Sequence, residues 1–302
     1  MANDGEGEYS GQRFGATHPL ETESGMNAAS RRRWTNRLAI IFVVLVALGP
    51  VVYLEGPAEV ARWYQAAATE LWLAGDKAAA LARLDTAIHW APDQADGFVC
   101  RADWRLEDRE FLKASEDYSV AIERDPAHAG ALIGRSQAYQ YLGRHQDAIQ
   151  DWKRLLELGR AAPGRQRAVL LNGLAYAQAL GNVELKEALE NILQAINLAG
   201  ENSAMLDTRG YIHYCAGKYQ LAQPDLDLAV AGMEREVKMM ETTRDYVDQR
   251  EFERQLRETR KSLAVIRYHR ALLLEKLGKP KEAESDLRRV RELGYEPNPN
   301  LF

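Results

Sequence analysis

The sequence predicts an all-α protein in which a single membrane-spanning helix precedes a stack of about six helical hairpins. Three observations carry this. An uncharged run of 17 residues, Leu38 to Leu54, lies near the start of the chain. Small residues return every 34 positions after it. Ala, Leu, Glu, Arg and Gln dominate the composition, while Val and Thr thin out beyond the first third, which favours helix over strand.

Residues 1–37 come first. Met1 to Ser30 are rich in Gly, Glu, Ser, Thr and Asn without helical or strand period, so they have too little apolar surface to order themselves. A flexible tail is expected, ending in the basic flank Arg31, Arg32, Arg33 and Arg37.

Residues 38–54 come next. At a rise of about 1.5 Å per residue they make roughly 25 Å of helix, short but sufficient for a bilayer core. The arginines precede the run, and the following LEGPAEVARWYQ has no such cluster. The positive-inside rule therefore puts the N-terminus in the cytoplasm and the bulk of the chain on the outer, periplasmic-type side of a membrane crossed once. A cleaved signal peptide is the competing reading, because Met26 as a start would place the arginines and the apolar run where secretion signals carry them; the chain would then be a secreted soluble binding module. Against cleavage, no small-x-small site follows the run, and Pro50 with Val51 to Leu54 is an awkward junction. A buried soluble helix is the third option, but with no polar stripe it would have to be enclosed on all sides.

Residues 58–298 carry the repeat. Ala80, Ala114 and Ala148 are 34 apart, as are Ala188 and Ala222. A second register agrees: Ala87, Ala121, Ala195 and Ala229 each lie seven residues after a member of the first set, and Pro92 and Pro126 close the first two units. The units span about 61–94, 95–128, 129–162, 168–202, 203–241 and 246–298. Two helices approach to about 8 Å only where the side chains between them are small. Each hairpin leaves an apolar face that only the next hairpin can cover, so the units stack.

These positions resemble the tetratricopeptide-repeat family over about four-fifths of the chain. The family's small first-helix residue corresponds to Ala68, Ala102, Ser136, Ala175, Gly210 and Ala271. Its turn glycine corresponds to Gly75, Gly143, Gly217 and Gly278, and its large second-helix residue to Leu84, Tyr118, Trp152, Ile192, Leu226 and Leu287. The resemblance implies a right-handed superhelical stack whose concave groove holds a protein or peptide partner. By the same resemblance the groove is lined by Gln65, Thr69, Trp72, Val99, Asp103, Leu106, Ile133, Gln137, Gln140, Asn172, Tyr176, Asp207, Tyr211, Tyr214 and Tyr268. Asp103, Gln137, Gln140, Asn172, Tyr176, Asp207, Tyr211 and Tyr214 are the candidate partner-binding residues. Tyrosines with amide side chains suit this role, offering apolar area with few rotors beside groups that hydrogen-bond an extended backbone. Alternatively, the tyrosines fill gaps between units. The family's carboxylate clamp of Lys, Asn and Arg is not matched, because Gln65, Thr69, Cys100, Gly130 and Gly134 stand there.

Two departures interrupt the period. The interval before the fourth unit stretches to 40 residues, Ala148 to Ala188, where GRAAPGRQR supplies a longer loop. The interval from Ala222 to Ala283 is 61, and the excess, Met233 to Lys261, is charge-rich without Gly or Pro and should lengthen two consecutive helices. Thr242 with Asp245 suggests a capping box between them. Phe252, Leu256, Leu263 and Ile266 keep a helical stripe that should pack within the chain, with a coiled-coil contact between copies through 233–261 as the alternative. The end, GYEPNPNLF, reads as a cap or tail.

Chemistry is harder to find. A net charge of −5 without a basic cluster in the repeats argues against a nucleic-acid partner. Cys100 and Cys215 are the only cysteines, too few for a disulfide framework. Histidines 18, 89, 128, 145, 213 and 269 never fall four apart, and no CxxC or HExxH occurs, so no metal or other cofactor is expected. Gly159 to Gly164 with Arg165 lacks the Lys and Ser or Thr of a phosphate loop and reads as a plain loop. His213 and Cys215 are close in sequence, but near neighbours on a helix point apart and cannot easily hydrogen-bond. The expectation is a non-catalytic, membrane-anchored adaptor. The alternative is an assembly subunit of a membrane enzyme or transporter, contacting its complex through the convex face or the 233–261 extension.

Overall fold

The computed structural model describes residues 56–242 and 249–297. The tail, the apolar run 38–54 and Asp245 lie outside these residues. The chain divides after Glu59, and the unit that starts at Val60 holds the helical stack. Among the described residues there are twelve helices and no strand: α1 (56–73), α2 (Lys77–Trp90), α3 (Ala95–Glu107), α4 (Phe111–Arg124), α5 (Ala129–Tyr141), α6 (His145–Leu158), α7 (Gly164–Leu180), α8 (Leu185–Ala199), α9 (Ser203–Cys215), α10 (Tyr219–Thr242), α11 (Gln249–Lys276) and α12 (Pro280–Glu292). They pair as six consecutive hairpins, each packed on the next.

The turn inside each hairpin closes in the same way. Gly75, Gly143, Gly217 and Gly278 take φ of 88°, 70°, 71° and 72°, the left-handed region that ends a helix. The next residue's N–H then reaches back over the turn, as Arg144 N does to Tyr139 O at 2.8 Å. The second and fourth hairpins use the same turn without glycine at that place: Arg109 has φ 62° and Asn182 φ 50°, and Glu110 N still bonds Arg105 O at 2.8 Å. Asn tolerates this conformation through its short polar side chain; Arg109 does not. Relief of about 1–2 kcal/mol of backbone strain, set against about 0.5–1 kcal/mol of extra chain entropy, means that Arg109→Gly should raise stability. The expected gain, roughly 0.5–1 kcal/mol, is read as a later urea midpoint at unchanged slope.

The repeating alanines sit where the helices cross. Ala68, Ala80, Ala102, Ala114, Ala148, Ala175, Ala188 and Ala222 are all 0% exposed. Two glycines serve the contact between units rather than a turn. A methyl at Gly134 would stand 2.2 Å from the Tyr118 ring, and one at Gly173 would stand 2.4 Å from Trp152. The large aromatic of one unit's second helix thus sits on bare backbone of the next unit's first helix.

A charged series runs in the same register. Arg135 holds Asp151 through two parallel bonds, Nε to Oδ2 at 2.9 Å and Nη2 to Oδ1 at 2.6 Å, and reaches Ser119 of the preceding hairpin at 3.2 Å. Arg101 does the same with Asp117 (2.8 and 2.7 Å) and reaches Asp85 at 2.6 Å. Arg270 binds Asp286 (2.7 and 2.8 Å) and reaches Asp227 at 3.1 Å. Arg209 pairs with Asp225 (2.8 and 2.6 Å) and with Glu201 instead of the previous helix. Each such arginine ties the two helices of its own hairpin, and three of the four also tie the hairpin before. The paired aspartates are buried, and two-pronged charge-assisted bonds are among the strongest a side chain makes.

The interruptions resolve locally. The loop before the fourth unit is shorter than the sequence suggests: Pro163, which lacks an N–H, stands at the cap, and α7 already begins at Gly164, so Arg165 to Arg167 are helical. The 233–261 excess lengthens α10 to 24 and α11 to 28 residues. Leu256, Leu263 and Ile266 of α11 pack with Met233 and Val237 of α10, which places the apolar stripe inside the chain. Thr242, the last residue of α10, bonds back to Met239 O at 2.7 Å. After α12, Tyr295 packs beside Ala264, Val265 and Val290 and donates to Arg257 O at 3.1 Å, closing the end of the stack.

Candidate partner-binding groove

Alternate helices touch as well as neighbours: α3 with α5, α7 with α9, and α9 with α11. The first helices of the hairpins therefore share one side. That side curves inward, because residues of units far apart in sequence meet on it. Lys261 of α11 donates to the Tyr141 hydroxyl of α5 at 3.1 Å across 120 residues, and Tyr176 of α7 lies with its ring 6.0 Å from His269 of α11.

The expected groove residues fall into two zones along this side. Asp103 and Gln137 belong to the first, over hairpins one to three. Trp72 stacks on Trp104 with ring centres 4.6 Å apart, Lys77 lies 4.6 Å over Trp72, and Ile133 is exposed. Asp103 accepts a 2.5 Å bond from the Tyr118 hydroxyl. Partial burial raises its pKa, opposed by the Tyr118 bond and by His128. Gln137 is half-buried and Gln140 is buried.

Asn172, Tyr176, Asp207, Tyr211 and Tyr214 belong to the second zone, over hairpins four to six, and the structure brings them together. Tyr211 stacks on His269 at 4.0 Å and on Tyr214 at 5.8 Å. Asp207 is buried and holds His269 Nδ1 at 2.9 Å. Burial, with the Asp207 charge beside it, pushes the Tyr176 hydroxyl well above the usual phenol range. Asn172, Tyr176 and Asp207 line a cavity of about 240 Å³ with Met233 of α10 and Lys261, Val265 and Ile266 of α11. His269 stands two residues and Lys261 ten residues before Ala271, away from the first-helix places at which groove residues are expected, whereas Tyr268 stands at one of them; the contacts of His269 with Asp207 and of Lys261 with Tyr141 show only once the helices are placed.

A second cavity of about 500 Å³ between α10, α11 and α12 is a weaker site. All of its charges but that of Lys238 are paired: Arg260 with Glu241 at 2.8 Å, Arg289 with Glu292 at 2.9 Å, and Glu234 with Arg267. Reactive groups are also tied down. Burial pushes the Cys215 thiol up to about 11, the reverse of what an attacking thiolate needs, and Cys215 Sγ contacts Ala179 O at 3.5 Å. Burial lowers the pKa of His213. Among the described residues no cluster of three His, Cys, Asp or Glu is placed to hold a metal, and no helix is long and apolar enough to cross a membrane.

No protein-family model matches the chain. Solved structures do resemble it. A tetratricopeptide-repeat protein from Parabacteroides merdae superposes with a TM-score of 0.53 at 13% identity, covering 78% of this chain and 94% of that one. The chain has the tetratricopeptide-repeat fold. A structure from the functional characterization of Pseudomonas aeruginosa pilF gives 0.50 at 16% identity, over 79% of this chain and 93% of that one. MamA of Desulfovibrio magneticus gives 0.50 at 15%, over 58% and 96%. The tetratricopeptide-repeat stack carries aromatic, amide and carboxylate groups of α3, α5, α7, α9 and α11 on one side, over an alanine-packed frame.

Proposed function

We propose that the chain is a membrane-anchored scaffold that holds an extended segment of a protein partner along the inner side of its tetratricopeptide-repeat stack. The observation that carries this is the gathering of Asn172, Tyr176 and Asp207 around one cavity on that side, beside the Tyr211–Tyr214 stack. Rigid aromatics lose little freedom on binding, and the frame holding them is already ordered, so a segment can dock without reorganising the stack. The uncharged run 38–54, with the arginines ahead of it, is the proposed anchor, with the stack on the outer face.

Two measurements test this. A photo-reactive amino acid at Gln137 is expected to crosslink a partner in membranes, whereas the same group at Leu193, exposed on a second helix, is not. Equal crosslinking from both positions would move the binding surface away from the groove. Protease added to right-side-out vesicles should digest the stack, and added to inside-out vesicles should trim only residues 1–37; the opposite pattern reverses the orientation.

A further inference from the structure

In the hairpins after the first, one stripe of the first helix rests on the second helix of the hairpin before. The stripe lies five before, two before and two after the small residue at which the hairpin's own helices cross. A methyl added at Gly97 would stand 3.0 Å from Ile88 of α2, and Gly134 and Gly173 lie on Tyr118 of α4 and Trp152 of α6. Ile266 packs with Met233 and Val237 of α10, and Leu273 with Ala222 and Leu226 of the same helix. At the last of the three places Trp104, Ala138, Ala177, Ile212 and Leu273 are all buried.

α1 carries Trp63, Ala66 and Glu70 at these places, and no helix precedes it among the described residues. Trp63 is 62% exposed, and Ala66 and Glu70 are exposed as well. The other end of the array is finished differently: α12 turns Lys281, Glu284, Arg288 and Arg291 to solvent, the polar outer face that a terminal unit needs. An indole left in water at a place where the later hairpins cover an apolar or small residue with a helix marks a face that can receive one.

We propose that this face of α1 pairs with the same face of a second copy of the chain, antiparallel, about a two-fold axis through Ala66. The residues of the stripe select this occupant. Its smallest side chain then stands at the crossing, where helices can approach to about 8 Å. Arg62 and Glu70 lie four residues to either side of Ala66, so an antiparallel pair sets each against the other twice, whereas a parallel pair would set like charges together. Trp63 falls beside Ala66 and Thr69 of the other copy, whose short side chains leave room for the indole. The charged outer face of α12 offers an indole no such seat, so two like faces close on each other rather than adding head to tail. A single helix pair covers less than the roughly 1,200 Å² at which stable interfaces begin, so pairing is weak in dilute solution. Confinement to one membrane raises the local concentration of the second copy. In this respect alone the inference rests on the anchor proposed at 38–54.

The test applies a short bis-maleimide to membranes that hold the full chain. Ala66→Cys should give a covalent dimer, against a background set by the parent with only Cys100 and Cys215. Leu112→Cys, exposed on α4, should stay at that background. In the Ala66→Cys chain, Arg62→Glu and Glu70→Arg should each lower the dimer yield about tenfold, and the two together should restore it to within about twofold. Trp63→Ala should lower it about tenfold. These side chains are exposed, so the melting temperatures should match the parent's, which keeps a folding defect from imitating the result. No dimer from Ala66→Cys, an equal yield from Leu112→Cys, or a double charge reversal no better than the single ones would overturn the pairing. A carbonate wash separates the pairing from the anchor. A chain that stays with the membrane without crosslinking sinks the pairing alone. One that washes off yet crosslinks through Ala66→Cys sinks the anchor and leaves the pairing standing.

Discussion

Ala114→Trp is expected to unfold the second and third hairpins. Ala114 is 0% exposed and belongs to one core cluster with Ala102, Tyr118, Ala121, Leu132 and Leu155, contributed by α3 to α6. Inserting even single methylenes into a packed core costs about 1–3 kcal/mol. An indole where a methyl fits exceeds that range, because relief requires the α3–α4 crossing to open and α5 to lose its seat. The measurement is a thermal melt followed by helical circular dichroism, with amide exchange mapping the loss to α3–α6. Leu193→Trp, on an exposed helix face, is the control and should stay within about 0.5 kcal/mol of the parent. A parental melt for Ala114→Trp would mean that the small residues do not set the helix spacing.

Asp151→Ala should be nearly as damaging, for a different reason. The Asp151 side chain is 5% exposed, and Arg135, 19% exposed, donates to both its oxygens. Removing the carboxylate strands the guanidinium between α5 and α6, and breaking a buried pair in this way typically costs about 3–5 kcal/mol. Removing both charges is a separate matter: with Arg135→Leu and Asp151→Leu together, apolar contact replaces the pair, and most of the lost stability should return. Urea denaturation of the two variants separates the cases. If the double variant is no better than the single one, Asp151 acts through something other than its arginine.

The alanine positions are legible in the sequence because nothing larger fits a helix crossing, so the constraint falls on residue type itself. The glycine turns are legible for a similar reason, and Arg109 and Asn182 are not, since the backbone adopts the same left-handed turn against the preference of the side chain. The Arg–Asp pairs show a harder limit. Arg101 and Arg135 are 34 apart, and so are Asp117 and Asp151, yet a charged residue on a helix usually marks a solvated face, and its burial shows only when both partners are placed. The groove divides along similar lines. Asn172, Tyr176, Asp207, Tyr211 and Tyr214 are named from the repeat register, whereas His269 and Lys261, which interlock with Asp207 and Tyr141, stand two and ten residues before Ala271, at places the register does not single out.

That interlocking bears on how the protein can change over evolutionary time. Arrays whose members meet only their immediate neighbours can gain or lose a member by duplication or deletion without disturbing the rest. Here Lys261 clasps Tyr141, and His269 lies against Tyr176 and Tyr211, so the third to sixth hairpins form a closed loop of mutual dependence. Copy number in that stretch is frozen. The first two hairpins are bound by no such clasp among the described residues, and they are where lengthening or shortening of the array would be tolerated.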